Sequence, residues 1–156
     1  MKKSIIFSAL MFFLACNAFS QDMDLKKLKL VLAKKATIVQ EKDNMVEYEL
    51  GGVNIYLIVD ENANRMRLMA GVIEEEKLKE EDLKKLMSAN FDRALDAKYA
   101  IADGILWSVY AHPLKELSDT QATDAMNQVK NLVYNYGTTY HSTDFVFGGD
   151  GEQDDN

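Results

Sequence analysis

Residues 80–112 read EEDLKKLMSANFDRALDAKYAIADGILWSVYAH, and this stretch decides the fold. Leu83, Leu86, Met87, Asn90, Phe91, Ala94 and Leu95 fall on one stripe at helical spacing, which predicts a single amphipathic helix over 80–98. Glu80, Glu81 and Asp82 load its first turn with negative charge, as the helix dipole favours. Asn90 lies within the apolar stripe, and an amide buried there must find a hydrogen bond. The period then falls from 3.6 to two. Residues 99–102 form a short strand, Asp103-Gly104 is a strong two-residue hairpin signal, and 105–112 is the return strand. Ile105, Trp107, Val109 and Ala111 share one face of it, and Leu106, Ser108, Tyr110 and His112 the other. The bulk of Trp107 predicts that its face lies under the central helix, so Leu106 and Tyr110 are expected to point away. Pro113 bars further ladder pairing in a central strand.

On the carboxyl-terminal side, Ser118 followed by Gln121 matches a capping box. Ala122, Ala125, Met126, Val129, Leu132, Val133 and Tyr136 continue at helical spacing, and Gly137 suits the helix end. The domain is expected to close at 140. Residues 141–156, ending GGDGEQDDN, form an acidic tail whose composition cannot build a core and predicts disorder. On the amino-terminal side, 37–72 is β territory. Residues 37–40 and 45–50 read as strands, Gly51-Gly52 as a turn, 53–59 as a strand, 60–64 as a polar turn and 65–72 as a further strand. Val53, Ile55, Leu57 and Val59 share one face, leaving Asn54, Tyr56 and Ile58 on the other. Residues 22–36 form an apolar-faced helix through Leu25, Leu28, Val31 and Leu32, with a solvated lysine face. The order α-β-β-β-(β)-α-β-β-α predicts one α+β domain, an antiparallel sheet with helices on one face.

The first twenty residues stand apart. Met1-Lys2-Lys3 is a basic start, residues 4–15 (SIIFSALMFFLA) are apolar, and Ala18-Phe19-Ser20 sets small residues before a cut between Ser20 and Gln21. This is a secretory signal peptide, too short in its apolar run to span ~30 Å of hydrocarbon. A second processing reading is that Leu14-Ala15-Cys16 resembles a lipoprotein box, with lipid on Cys16, although Phe13 departs from the usual residue at that place. The expected location is therefore exported, periplasmic or extracellular, with no membrane attachment unless Cys16 is lipidated.

Cleavage at Gln21 leaves 136 residues, no cysteine, and 16 basic against 25 acidic residues. A net charge of −9 argues against nucleic acid and anionic lipid as partners and fits solubility or a basic partner. Two histidines 29 residues apart, with no cysteine, make zinc improbable. No phosphate loop, nucleophile elbow or dinucleotide fingerprint is present, the acids of 74–76 fall in a solvated run, and Asp150, Glu152, Asp154 and Asp155 do not match an EF-hand loop. No catalytic residue, metal or cofactor is expected. The binding features are stronger. A sheet with helices on one face leaves its other face to solvent, a second copy or a ligand. Tyr56, Ile58, Leu106 and Tyr110 are the expected partner-binding residues there. Met66, Met69 and Met87 could add an adaptable surface, although residues at such spacing ordinarily fill a core.

The hairpin VNIYLIVDENANRMRLMAGV, the run LKKLMSANFDRALDAKYAIADGILWSVYA and the capped helix after Ser118 together resemble the YbjN-like bacterial domain family, which shares the fold of type III secretion chaperones. Asn90 stands where members of that family often carry Asn late in the helix. The resemblance implies an α-β-β-β-α-β-β-α fold, homodimerisation and a protein or peptide partner, with no catalytic residues. The function expected is an exported, non-enzymatic binding or chaperone-like domain using a sheet face or dimer groove. The alternative is an envelope-associated accessory protein anchored at Cys16.

Overall fold

The computed structural model describes residues 22–145. The element order is α1 (Leu25–Leu32), β1 (Thr37–Lys42), β2 (Met45–Leu50), β3 (Val53–Asp60), β4 (Arg65–Glu74), α2 (Glu80–Asp92), β5 (Lys98–Ala102), β6 (Ile105–His112) and α3 (Asp119–Tyr134). The strands form one six-stranded sheet in the order β1-β2-β3-β4-β6-β5, with every neighbouring pair antiparallel. This is the expected α+β architecture, with the optional fourth strand present.

The turns follow from local chemistry. Gly51 and Gly52, and Asp103 and Gly104, all have positive φ, as a tight two-residue hairpin turn requires. The β1–β2 hairpin turns at Asp43, also at positive φ, so β1 runs two residues beyond the expected 37–40. Ser118 Oγ accepts from Gln121 N at 3.2 Å and Gln121 Oε1 accepts from Ser118 N at 3.0 Å, completing the capping box of α3. Asp24 caps α1 by accepting from Lys27 N at 2.7 Å. The helix stops at Leu32, shorter than the expected 22–36.

α3, rather than the central helix α2, organises the core. It lies across β3, β4 and β6, with α1 packed beside it and α2 set against β5. Ala122, Ala125, Met126, Gln128, Val129 and Leu132 of α3 are all fully buried. Beneath them Ala70 of β4 faces Ser108 of β6, a pair of small residues that lets the helix approach the sheet. The rest of the inner face is a row of large side chains, Val46, Leu57, Leu68 and Tyr110 on successive strands.

α2 ends at Asp92, six residues before the expected 98, because long-range bonds take over the chain. Gln128, fully buried on α3, accepts from Asp96 N at 3.1 Å and Ala97 N at 3.0 Å, and donates to Asp124 Oδ2 at 2.6 Å. Lys98 Nζ donates to the Asn90 and Leu95 carbonyls at 2.6 and 2.8 Å, closing the helix end. Asn90 finds the partners its position demands. Its Nδ2 donates to Tyr99 O at 3.0 Å and its Oδ1 accepts from Tyr99 N at 2.8 Å, fastening α2 to β5.

Only part of the expected stripe of α2 is covered. Leu86 and Ala89 are buried, whereas Leu83, Met87 and Phe91 are 40%, 70% and 86% exposed. The chain after α3 also departs from expectation. His141 and Ser142 belong to the fold: Asn135 Nδ2 donates to His141 O, Asn131 Nδ2 to Ser142 O, and Ser142 N to Arg93 O. Tyr99, Tyr136 and Tyr140 pack edge to face around this segment. The remainder of the tail, 146–156, and the residues before 22, including Cys16 and the cut at Ser20, lie outside the described residues.

The sheet ends in two edge strands, β1 and β5, the latter fastened to α2 through Asn90. β1 is exposed along its whole length and carries a bulge between Ile38 and Gln40. β5 pairs with β6 in unbroken register, and its last three residues, Ala100, Ile101 and Ala102, are exposed.

Candidate functional site

Side chains alternate across a strand, so the face opposite the helices is set once the inner face is known. Tyr56 and Ile58 stand on that outer face as expected, half-buried and exposed respectively. Leu106 and Tyr110 do not. They are 1% and 5% exposed, on the inner face beneath the helices. The outer residues of β6 are instead Ile105, Trp107, Val109 and Ala111, and the expectation that Trp107 is covered by the central helix is reversed. The register already held this answer. A two-residue turn at Asp103-Gly104 pairs Tyr99 with Ser108 and Ala100 with Trp107. Placing the larger of Tyr99 and Ala100 inside puts Ser108, Leu106 and Tyr110 inside with it.

The outer face is built in rows. Glu47, Tyr56, Met69, Val109 and Lys98 follow one another across β2, β3, β4, β6 and β5. A second row joins Met45, Ile58, Arg67 and Ala111. Gly71, Trp107 and Ala100 make a third. Tyr56 and Trp107 meet edge to face, with ring centroids 6.4 Å apart and planes at 76°. Trp107 Nε1 donates to Ala102 O at 3.1 Å, which leaves the indole lying along the sheet. Gly71 sits opposite Trp107, and a Cβ there would meet the indole at 3.8 Å. Next to it β4 bulges between Gly71 and Ile73. The result is a shallow hollow of about 400 Å³ lined by Gly52, Asn54, Tyr56, Gly71, Ile105 and Trp107. A second hollow of about 210 Å³ lies among Ile58, Arg65, Arg67 and Ala111. Met69 is part of this face, whereas Met66 is core and Met87 stands on the exposed side of α2.

Electrostatically the face is mixed, with Glu47 and Glu49 on β2 and Arg65 and Arg67 on β4. Partial burial first, and the Glu47 carboxylate beside it second, push the Tyr56 phenol up, so it stays a neutral hydroxyl at physiological pH. Among the described residues no three His, Cys, Asp or Glu side chains are grouped as metal ligands. No helix among them is long and apolar enough to cross a membrane. What the face offers is apolar and aromatic area in rows at strand spacing, flanked by charges of both signs. That suits the alternating side chains of an extended chain laid on the sheet.

No family profile and no curated protein matches this chain. Solved structures do. A chain of the HopA1–SchA chaperone–effector complex superposes with a TM-score of 0.55 at 11% identity, over 72% of this chain and 88% of that one. A chain of the ExsC–ExsE complex gives a TM-score of 0.54 at 15% identity, over 70% of this chain and 90% of that one. The six-stranded antiparallel sheet with its three helices is thus a type III secretion chaperone-like fold.

Proposed function

We propose that this protein is a non-enzymatic, chaperone-like binding domain that takes an extended segment of a protein partner on the outer face of its sheet. The observation that carries the reading is the aromatic and apolar patch in which the row Tyr56, Met69 and Val109 meets Trp107 of the neighbouring row, on a face left uncovered by the helices. The fold supports it, since similar chains occur in a chaperone–effector complex and in the ExsC–ExsE complex. The order of elements and the position of Asn90 in α2 favour a YbjN-like member of that fold.

The molecule carries its own reporter, because Trp107 is the only tryptophan and lies on the proposed site. Titration with extended peptides alternating apolar and basic residues is expected to give a saturable blue shift of its emission. Val109→Glu, which puts a charge on the face without touching the core, is expected to weaken binding at least tenfold. Unchanged emission, or equal affinity in the Val109→Glu variant, sinks the proposal.

A second reading, compatible with the first, is a homodimer formed through α2. Leu83, Met87 and Phe91 recur every four residues as an exposed apolar ridge on a helix packed against edge strand β5. Light scattering is expected to give twice the chain mass, and Met87→Glu/Phe91→Glu to give a folded monomer. A monomeric parent at high micromolar concentration contradicts this.

For location we propose export, directed by residues 1–20, with cleavage before Gln21; anchoring through a lipid on Cys16 is the alternative. Mass spectrometry of the mature amino terminus separates them: a chain beginning at Gln21 rejects the anchor, and an acylated Cys16 establishes it.

A further inference from the structure

Both hollows of the outer face lie along one strand. Gly71 of β4 lines the larger, of about 400 Å³, and Arg65 and Arg67 of β4 line the smaller, of about 210 Å³. Between them Met69 stands on the same face of β4, with Tyr56 across from it on β3 and Val109 on β6. Gly71 and Arg67 are four residues apart, which is ~13 Å at the rise of a strand. An extended chain laid along β4 covers that distance in four of its own residues. Its side chains at i, i+2 and i+4 then fall on the first hollow, on Met69 and on the second hollow.

The two hollows differ in charge. No charged side chain lines the first, where the absent side chain of Gly71 leaves room beside the Trp107 indole. The second holds Asp60, Arg65 and Arg67. Asp60 and Arg65 face each other across β3 and β4 and leave no net charge between them. Both are also engaged by the turn, since Asp60 Oδ1 accepts from Ala63 N at 2.8 Å and Arg65 Nη1 donates to Asn64 O at 2.9 Å. Arg67 is different. It is exposed, its row neighbours are Ile58 and Ala111, and no carboxylate among the described residues pairs with it. Glu47 lies two strands away on β2, beside Tyr56.

We propose that the partner segment runs along β4 and carries an acidic residue four positions from a large apolar one. The apolar side chain fills the hollow beside Trp107, and the carboxylate pairs with the Arg67 guanidinium. This rests on the proposed sheet-face site and supplies its specificity. A guanidinium takes a carboxylate through two parallel bonds of fixed geometry. That contact sets the register of a segment that an apolar face alone would let slip in steps of two residues.

The test is titration of the full chain with acetylated and amidated peptides, followed by Trp107 emission. Either chain direction keeps the four-residue separation, so the cores Leu-Lys-Leu-Lys-Glu and Glu-Lys-Leu-Lys-Leu are both used. Their isomers Leu-Lys-Leu-Glu-Lys and Lys-Glu-Leu-Lys-Leu have the same net charge and move the acid to the opposite side of the segment. In at least one direction the first form is expected to bind about fivefold tighter than its isomer. Arg67→Gln, a change at an exposed side chain, should erase that preference and leave the affinity for the isomer unchanged. Equal affinity of isomers in both directions overturns the register proposal while leaving the sheet-face site standing. A preference that survives in Arg67→Gln also overturns it, since the acid would then be read elsewhere. Absence of binding by every peptide removes the sheet-face site and this inference with it.

Discussion

Asn90 closes two hydrogen bonds on the backbone of a single residue, Tyr99, at 2.8 and 3.0 Å. Each bond of this kind contributes about 1 kcal/mol. Asn90→Ala is therefore expected to cost about 2 kcal/mol in urea denaturation, and Asn90→Asp, which turns a carboxylate oxygen toward the Tyr99 carbonyl, at least as much. Tyr48 is the opposite case. Its ring is fully buried, yet its hydroxyl has no hydrogen-bond partner among the described residues. Burial first, and the Glu41 carboxylate second, push its phenol up to about 12. The folded state thus disfavours the phenolate more than the unfolded chain does, where the pKa is about 10. The stability from keeping Tyr48 neutral is complete below pH ~10 and drains away as pH climbs toward the folded value. Tyr99, raised by burial and by Tyr140 and Tyr136, acts in the same direction. Tyr48→Phe should leave neutral-pH stability unchanged or up to about 1 kcal/mol higher. It should also flatten the alkaline limb of the unfolding profile, and a steeper limb would contradict this account.

At the scale of elements, β6 separates what could be read from the sequence from what could not. Gly51-Gly52, Asp103-Gly104 and the Ser118–Gln121 box are local devices, and each forms where its residues require it. Tyr56 and Ile58 were legible as outward residues because β3 alternates cleanly. On β6 both faces are apolar, so alternation alone cannot choose between them, and Ser108 marks the inner face through its small size rather than its polarity. The end of α2 was equally hidden, since Gln128 sets it from 31 residues away. The face assignment can be checked directly. Leu106→Glu buries an unpaired carboxylate beneath the helices and is expected to cost more than 3 kcal/mol. Val109→Glu, three residues along the same strand on the outer face, should cost under about 1 kcal/mol. Equal costs in denaturant melts would mean that the strand is placed the wrong way round.

At the scale of the molecule, two surfaces stay open for different chemistry: the aromatic rows of the sheet and the apolar ridge of α2. Neither was evident from composition, because a net charge of −7 averages over the whole chain. The two sheet edges add a constraint on assembly. The β1 edge is crimped by its bulge and flanked by Glu41 and Lys42, which makes it a poor template for another strand. The β5 edge is closed by another device: α2 packs against it, and Asn90 already holds the outward N–H and C=O of Tyr99. Neither margin therefore presents an uninterrupted row of free backbone groups. Growth of the sheet strand by strand is blocked at both ends, so a fibre has no straight template here, and association is left to faces and helices.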